Sequence, residues 1–262
     1  MSFDAKNVVI YGAAGSIGSS AAEAYAREGA RVFLAGRTRA TLEKVAQGIE
    51  ASGGRAEVDV VDVLDEQAVD AFAASVVARG GSLDVSLNLA SRGDVQGIPL
   101  AQMSVEDFVK PITTGITTTF ITARAAARHM IEQGSGVILA LNSGSANVSP
   151  MMGGTGPLDA AMDSFIRNLA LELGPSGVRA LSIWVAAVPE TFTPEKLAAV
   201  NAEMQMDEAA IQGLLKQLAE MRMLRRNPTL EEVTRTILFL TSDAALGITG
   251  TSVNVTGGMF AN

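Results

Sequence analysis

The 262-residue chain contains no cysteine and one histidine, His129. The first absence excludes disulfides and thiolate chemistry and suits a reducing compartment, so a cytoplasmic location is expected. The second excludes a His-rich metal site, and no metal is expected. His129 follows Arg128 near the end of a helical stretch, where an imidazole suits the helix dipole better than it suits catalysis. Basic residues are in deficit: 20 Lys and Arg stand against 28 Asp and Glu, for a net charge of −8. Nucleic acid and anionic membrane both call for a basic face, so neither is expected as a partner. No apolar run is long enough to span a bilayer, and Met1 to Ile10 lack an apolar signal core. Tyrosine is nearly missing too. The only two are Tyr11 and Tyr25, and no lysine occurs between Lys110 and Lys196.

Apolar residues make up 48% of the chain and charged residues 18%, a balance that buries a large core and argues against disorder. The most informative stretch is Val8 to Gly18. Val8, Val9 and Ile10 form a short apolar run typical of a fully buried strand. Gly12, Gly15 and Gly18 follow at once, and then an Ala-rich segment, Ser19 to Gly29, reads as a helix with a glycine stop. Strand, glycine turn and helix start is the context in which such a spacing cradles a pyrophosphate: backbone approaches closely, and free N–H groups at the helix start point at the anion.

Further strands are predicted at Arg31 to Ala35, Ala56 to Val61, Leu83 to Leu89, Val137 to Leu141, Arg179 to Val185 and Thr251 to Val255. Helices are predicted at Thr38 to Ser52, Glu66 to Arg79, Ser104 to Gln133, Pro157 to Leu173 and Thr229 to Leu240. A Met-rich helical insertion is expected over Pro194 to Met223. Strict alternation implies an α/β fold: a Rossmann-type doubly wound parallel sheet with helices on both faces. No linker, repeat or low-complexity run interrupts it, so 1–262 reads as a single domain.

These residues resemble the short-chain dehydrogenase/reductase family over nearly the full length. Gly12-Ala-Ala-Gly15-Ser-Ile-Gly18 resembles its nucleotide loop, with Ser16 where the middle glycine usually stands. Asn88-Leu-Ala90-Ser91 resembles its Asn-Asn-Ala-Gly turn, and Ala170-Leu-Glu172-Leu the end of its fifth helix. Ile248-Thr-Gly250 and Val253-Asn-Val-Thr-Gly257-Gly258 resemble its C-terminal signature. The resemblance implies cofactor contacts at Gly12, Gly15, Ser16, Ile17, Gly18, Asp62, Val63, Asn88, Ala90 and Val188. It also implies a substrate lid over residues 191–223, where methionines such as Met204, Met206, Met221 and Met223 would roof an apolar pocket or simply pack helices. A homodimer or homotetramer packed through the fourth and fifth helices follows from the same resemblance. At the end of the second strand an acidic residue would take the ribose 2′-OH of NAD; here Gly36 stands instead, followed by Arg37 and Arg39. A guanidinium binds a 2′-phosphate bidentately, so NADP(H) is expected over NAD(H), with NAD(H) the alternative.

The family supplies a proton from a tyrosine, with a lysine four residues on and a serine upstream. Aligned back from Ala170-Leu-Glu172-Leu, the tyrosine place falls on Thr155, the lysine place on Asp159 and the supporting asparagine on Gly115; the serine survives as Ser143. Misalignment does not explain this, because both tyrosines lie in the first unit and neither has a lysine four residues on. A threonine hydroxyl is far too weak an acid for the task, and general acid–base help is worth about 10²–10⁴ in rate. Ser143, Thr155 and Asp159 are therefore the candidate catalytic residues, with three routes open. Burial could hold Asp159 protonated. The polar run Asn142, Ser143, Ser145, Asn147 and Ser149 could bind an oxyanion, or merely form a loop. Or the substrate needs no strong acid. Three functions compete: an NADP(H)-dependent oxidoreductase acting on a small apolar activated alkene, imine or ketone; a catalytically inactive dinucleotide-binding partner subunit; and a lyase or isomerase on the same scaffold.

Overall fold

The computed structural model describes residues 2–147, 149–201 and 206–261. Seven strands form one wholly parallel sheet: β1 (Asn7–Tyr11), β2 (Arg31–Gly36), β3 (Arg55–Val60), β4 (Val85–Asn88), β5 (Gly136–Asn142), β6 (Val178–Trp184) and β7 (Ser252–Asn254), in the order β3-β2-β1-β4-β5-β6-β7. Helices α1 (Ser16–Arg27), α2 (Arg39–Ala51), α3 (Glu66–Gly80), α4 (Val105–Gln133), α5 (Thr155–Leu173) and α8 (Leu230–Thr241) cover the sheet, and α6 (Pro194–Val200) and α7 (Glu208–Met221) form the insertion. β1 pairs with β2 on one side and β4 on the other. The chain thus winds outward in two directions from β1, and the crevice beyond the carboxyl ends of β1 and β4 is where such sheets bind ligands.

The pleat divides the core. Val8 and Ile10 of β1 pack with Ala21 and Tyr25 of α1 and Ile237 of α8, while Val9 and Tyr11 pack with Val69 and Phe72 of α3 and Ala126 of α4. Both faces are covered at the centre of the sheet, which is why β1, β2, β5 and β6 read as mostly apolar runs rather than as alternation.

Helix limits follow local chemistry. Ser104 caps α4 by accepting from the Asp107 N–H at 3.1 Å, and Gly134, with φ 73°, ends it. α5 begins at Thr155, two residues earlier than Pro157 suggests, because a proline is tolerated in a first turn whose N–H groups have no partner in the helix. The expected single stretch over Pro194 to Met223 is instead two helices. Residues 202–205, with Met204, lie outside the described residues.

Candidate active site

The turn after β1 is built for close approach. Gly12 has φ 76°, and a Cβ there would lie 2.5 Å from the Leu89 carbonyl oxygen; a Cβ on Gly18 would lie 2.4 Å from the Gly12 oxygen. Gly15 is the N-cap of α1 and offers no side chain to its first N–H groups, and no acidic residue occupies the first turn. These groups open on a groove of about 680 Å³ at the sheet's carboxyl edge, lined by Gly12, Gly15, Arg37, Asp62, Val63 and Ala90 among others. A bare helix start over a groove of this kind fits a dinucleotide pyrophosphate. Arg37 lines the groove and makes no ion pair among the described residues, whereas Arg39 faces Glu43 at 3.6 Å along α2. Asn88 holds the turn after β4 through the Ala90 N–H at 3.2 Å and Thr119 at 3.3 Å. Val188 is buried beside Ala187, whose φ of 49° is strained for a residue with a side chain. Ser16 and Ile17 open α1, Ile17 packing on the core.

Past this groove, two residues that the sequence reading did not single out dominate. Arg92, in the loop after β4, places Nη1 2.7 Å from Asp159 Oδ1, Nη2 3.1 Å from Asp94 Oδ1 and Nε 3.2 Å from Asp94 Oδ2. Thr155 donates to Asp94 Oδ1 at 2.7 Å and accepts from Gln96 Nε2 at 3.4 Å. Asp159 Oδ2 accepts from Ser143 Oγ at 2.5 Å, Ser145 N at 2.8 Å and Ser143 N at 3.3 Å. The charge at the lysine place is thus reversed, and the cation arrives from a different loop. Both Asp159 oxygens act as acceptors, the arrangement of an ionised carboxylate. Burial pushes the Asp159 carboxyl above its ordinary range, against the pull of Arg92 and of the Ser143 and Ser145 donors. Burial alone would lower Arg92, but Asp94 and Asp159 hold it above the usual guanidinium value.

Thr155 and Asp159 are fully buried, whereas the Arg92 and Asp94 side chains are 16% and 19% exposed. Ser143 is half-buried, and its hydroxyl also meets Ser145 Oγ at 2.7 Å. The space of the family's supporting asparagine is filled: a Cβ on Gly115 would lie 2.4 Å from Leu158 Cδ2. The polar run after β5 turns inward. Asn142 donates to the Asp159 carbonyl at 3.1 Å and to Asp163 at 2.8 Å, while Asn147 only closes a turn on Gly144. Trp184 is buried and donates to Asp163 at 3.3 Å. Met221 and Met223 are about two-thirds exposed, and Met223 lines a second groove with Leu224 and Phe260. The His129 side chain makes no hydrogen bond or ion pair among the described residues. The available signal for Arg92 was the question of which cation balances Asp159 when no lysine is near in the chain.

The sheet order, the glycine cradle and the groove define a Rossmann-type protein. A family model described as Enoyl-(Acyl carrier protein) reductase matches residues 12–260. An L-rhamnose 1-dehydrogenase (NAD(P)(+)) of Azotobacter vinelandii is 31% identical, with 98% of this chain and 97% of the relative covered. Gluconate 5-dehydrogenase of Gluconobacter oxydans is 28% identical, with 98% and 96% covered. The crystal structure of an NAD+-bound xylitol dehydrogenase superposes with a TM-score of 0.87 at 26% identity, over 98% of this chain and 100% of that one. The chain belongs to the short-chain dehydrogenase/reductase family. No helix among the described residues is long and apolar enough to cross a membrane, and no cluster of three or more His, Asp or Glu among them could hold a metal ion.

Proposed function

We propose that this protein is an NADP(H)-dependent reductase whose hydride acceptor is a small apolar molecule needing no strong acid, with an imine favoured over an activated alkene or a ketone. The observation that carries this reading is the Thr155–Asp94–Arg92–Asp159–Ser143 network where the family has its proton source. The dinucleotide, when bound, supplies the hydride. Arg92 can stabilise negative charge but cannot deliver a proton near neutral pH. Ketone reduction leaves an alkoxide, and two carboxylates around one guanidinium disfavour it. A protonated imine carries its own proton and becomes a neutral amine on hydride addition. In this reading Ser143, Thr155 and Asp159 hold Arg92 and Asp94 in place, and these two face the substrate.

Arg37, with no ion pair among the described residues and at the rim beside Gly36, supports NADP(H) over NAD(H). Gly12 to Gly18, Asp62, Val63, Asn88, Ala90 and Val188 would hold the rest of the cofactor. Exposed Phe120 on α4 and Leu171 on α5 support a homodimer or homotetramer formed through those helices, and a monomeric scattering mass would refute it. The deciding experiment follows NADPH oxidation against cyclic imines, enones and ketones across pH. Turnover of imines, rising as they protonate, supports the reading; brisk reduction of simple ketones defeats it. A second reading rests on the Ser143 hydroxyl being taken up by Asp159 and Ser145. It makes the chain a dinucleotide-binding subunit without catalysis, and tight NADPH binding with no turnover across the panel would establish it.

A further inference from the structure

We infer that Lys196, carried by α6 of the lid, is a pyrophosphate-binding residue that closes the lid over the cofactor; this rests on the dinucleotide-binding reading above. None of the residues of α6 is buried, so apolar packing does not hold this helix down. Polar contacts tie it at both ends. Lys196 Nζ donates to Ser16 Oγ, the first side chain of α1, across the mouth of the glycine turn. Just past the other end, Asn201 Nδ2 donates to the Gln96 carbonyl at 3.0 Å, and Gln96 in turn reaches Thr155. The short helix therefore spans from the cradle to the altered catalytic network.

Its charge is the telling feature. The ammonium lies at the N-terminal end of α1, the positive end of that helix, with no acidic residue in the first turn and no carboxylate partner for Lys196 among the described residues. Like signs meet there with no carboxylate between them among the described residues. An anion between them removes the conflict, and the groove lined by Gly12, Ala14 and Gly15 has space for one. With a pyrophosphate in the cradle Lys196 gains an ionised acceptor in place of the neutral Ser16 hydroxyl, and the lid is drawn shut over both halves of the site.

Calorimetric titration tests this with NADPH, ADP-ribose and adenosine 2′-monophosphate, the last lacking a pyrophosphate. Lys196→Met is expected to weaken NADPH and ADP-ribose alike by about tenfold, an effect reduced by exposure of the lysine, and to leave adenosine 2′-monophosphate unchanged. Lys196→Arg retains most of the affinity. Arg37→Ala shows the opposite pattern, weakening NADPH and adenosine 2′-monophosphate and sparing ADP-ribose. Amide exchange over residues 194–200 slows with ADP-ribose in the unaltered protein and not in Lys196→Met. ADP-ribose affinity within twofold of the unaltered protein in Lys196→Met, or a loss shared by adenosine 2′-monophosphate, overturns the assignment. Absence of any dinucleotide binding in the unaltered protein removes the cofactor reading itself and the inference with it.

Discussion

Asp159 is the residue on which the altered site turns. It is a fully buried carboxylate standing where the family has an ammonium, and Arg92 is its only cationic partner among the described residues. Breaking a buried pair by removing one member leaves an uncompensated charge, so Arg92→Ala is expected to lower stability by about 3 kcal/mol at neutral pH. The pH dependence has a definite sign. Burial already raises the folded-state pKa of Asp159, and loss of Arg92 raises it further, so the neutral acid is the better tolerated form. Relative stability is then present below the unfolded-state value of about 4 and is lost as pH rises through the folded-state value. Urea melts should show a larger deficit for Arg92→Ala at pH 8 than at pH 5, with Arg92→Ala/Asp159→Ala recovering part of it. Equal deficits at both pH values would mean that Asp159 stays ionised without its partner.

Among the elements, α8 makes the cleanest case because its start is a complete capping box. Thr229 Oγ1 accepts from the Glu232 N–H at 3.2 Å, and Glu232 accepts from the Thr229 N–H at 2.9 Å. The Arg226 guanidinium pairs with the same carboxylate, and these contacts, hydrogen bonds from Arg226 first, lower the Glu232 pKa to about 2. The side chain is 41% exposed, so solvent screens much of that shift. Glu232→Ala is expected to cost about 1 kcal/mol, in the range of a lost cap. A depressed carboxylate contributes above its unfolded-state pKa and loses the contribution as pH falls through its folded-state value. The difference in thermal midpoint between Glu232→Ala and the unaltered protein should accordingly shrink below about pH 4. A second test concerns the turn between β1 and α1. Gly12→Ala would force a Cβ onto the Leu89 carbonyl at a positive φ, so it should lower the melting temperature and abolish NADPH binding together.

Considered as one molecule, the protein has a sheet interior that is sealed and a ligand edge built from loops tied by polar contacts. Buried Arg222 joins the end of α7 to the carbonyls of Ala186 and Thr256, without a carboxylate partner among the described residues, and burial lowers its pKa. The lid is thus fixed firmly at its far end and lightly at α6, a division suited to opening for a cofactor. Binding to the native state alone stabilises it by mass action, about 2.7 kcal/mol at a ligand concentration one hundred times Kd. Thermal unfolding should shift upward with NADPH and less with equimolar NADH, and the difference should vanish in Arg37→Ala. An equal shift with both dinucleotides in the unaltered protein would argue against the 2′-phosphate role of Arg37.

Local and compositional features were legible in the chain itself. Buried strands and amphipathic helices announce themselves by apolar period, and their strict alternation leaves few arrangements besides a parallel doubly wound sheet. The glycines at Gly12, Gly15 and Gly18 mark a backbone that must come close to something, and the absence of any tyrosine with a lysine four residues on is read directly from the chain. What fills the vacated place was not legible. Arg92 and Asp159 are 67 positions apart, Asp94 and Thr155 are 61 apart, and Lys196 reaches Ser16 across 180. These residues meet because β1, β4, β5 and β6 follow one another across the sheet, so the loops leaving their carboxyl ends share one edge. Separation along a chain carries no distance once strands are reordered in a sheet, and a charge's partner is therefore decided by packing rather than by local pattern.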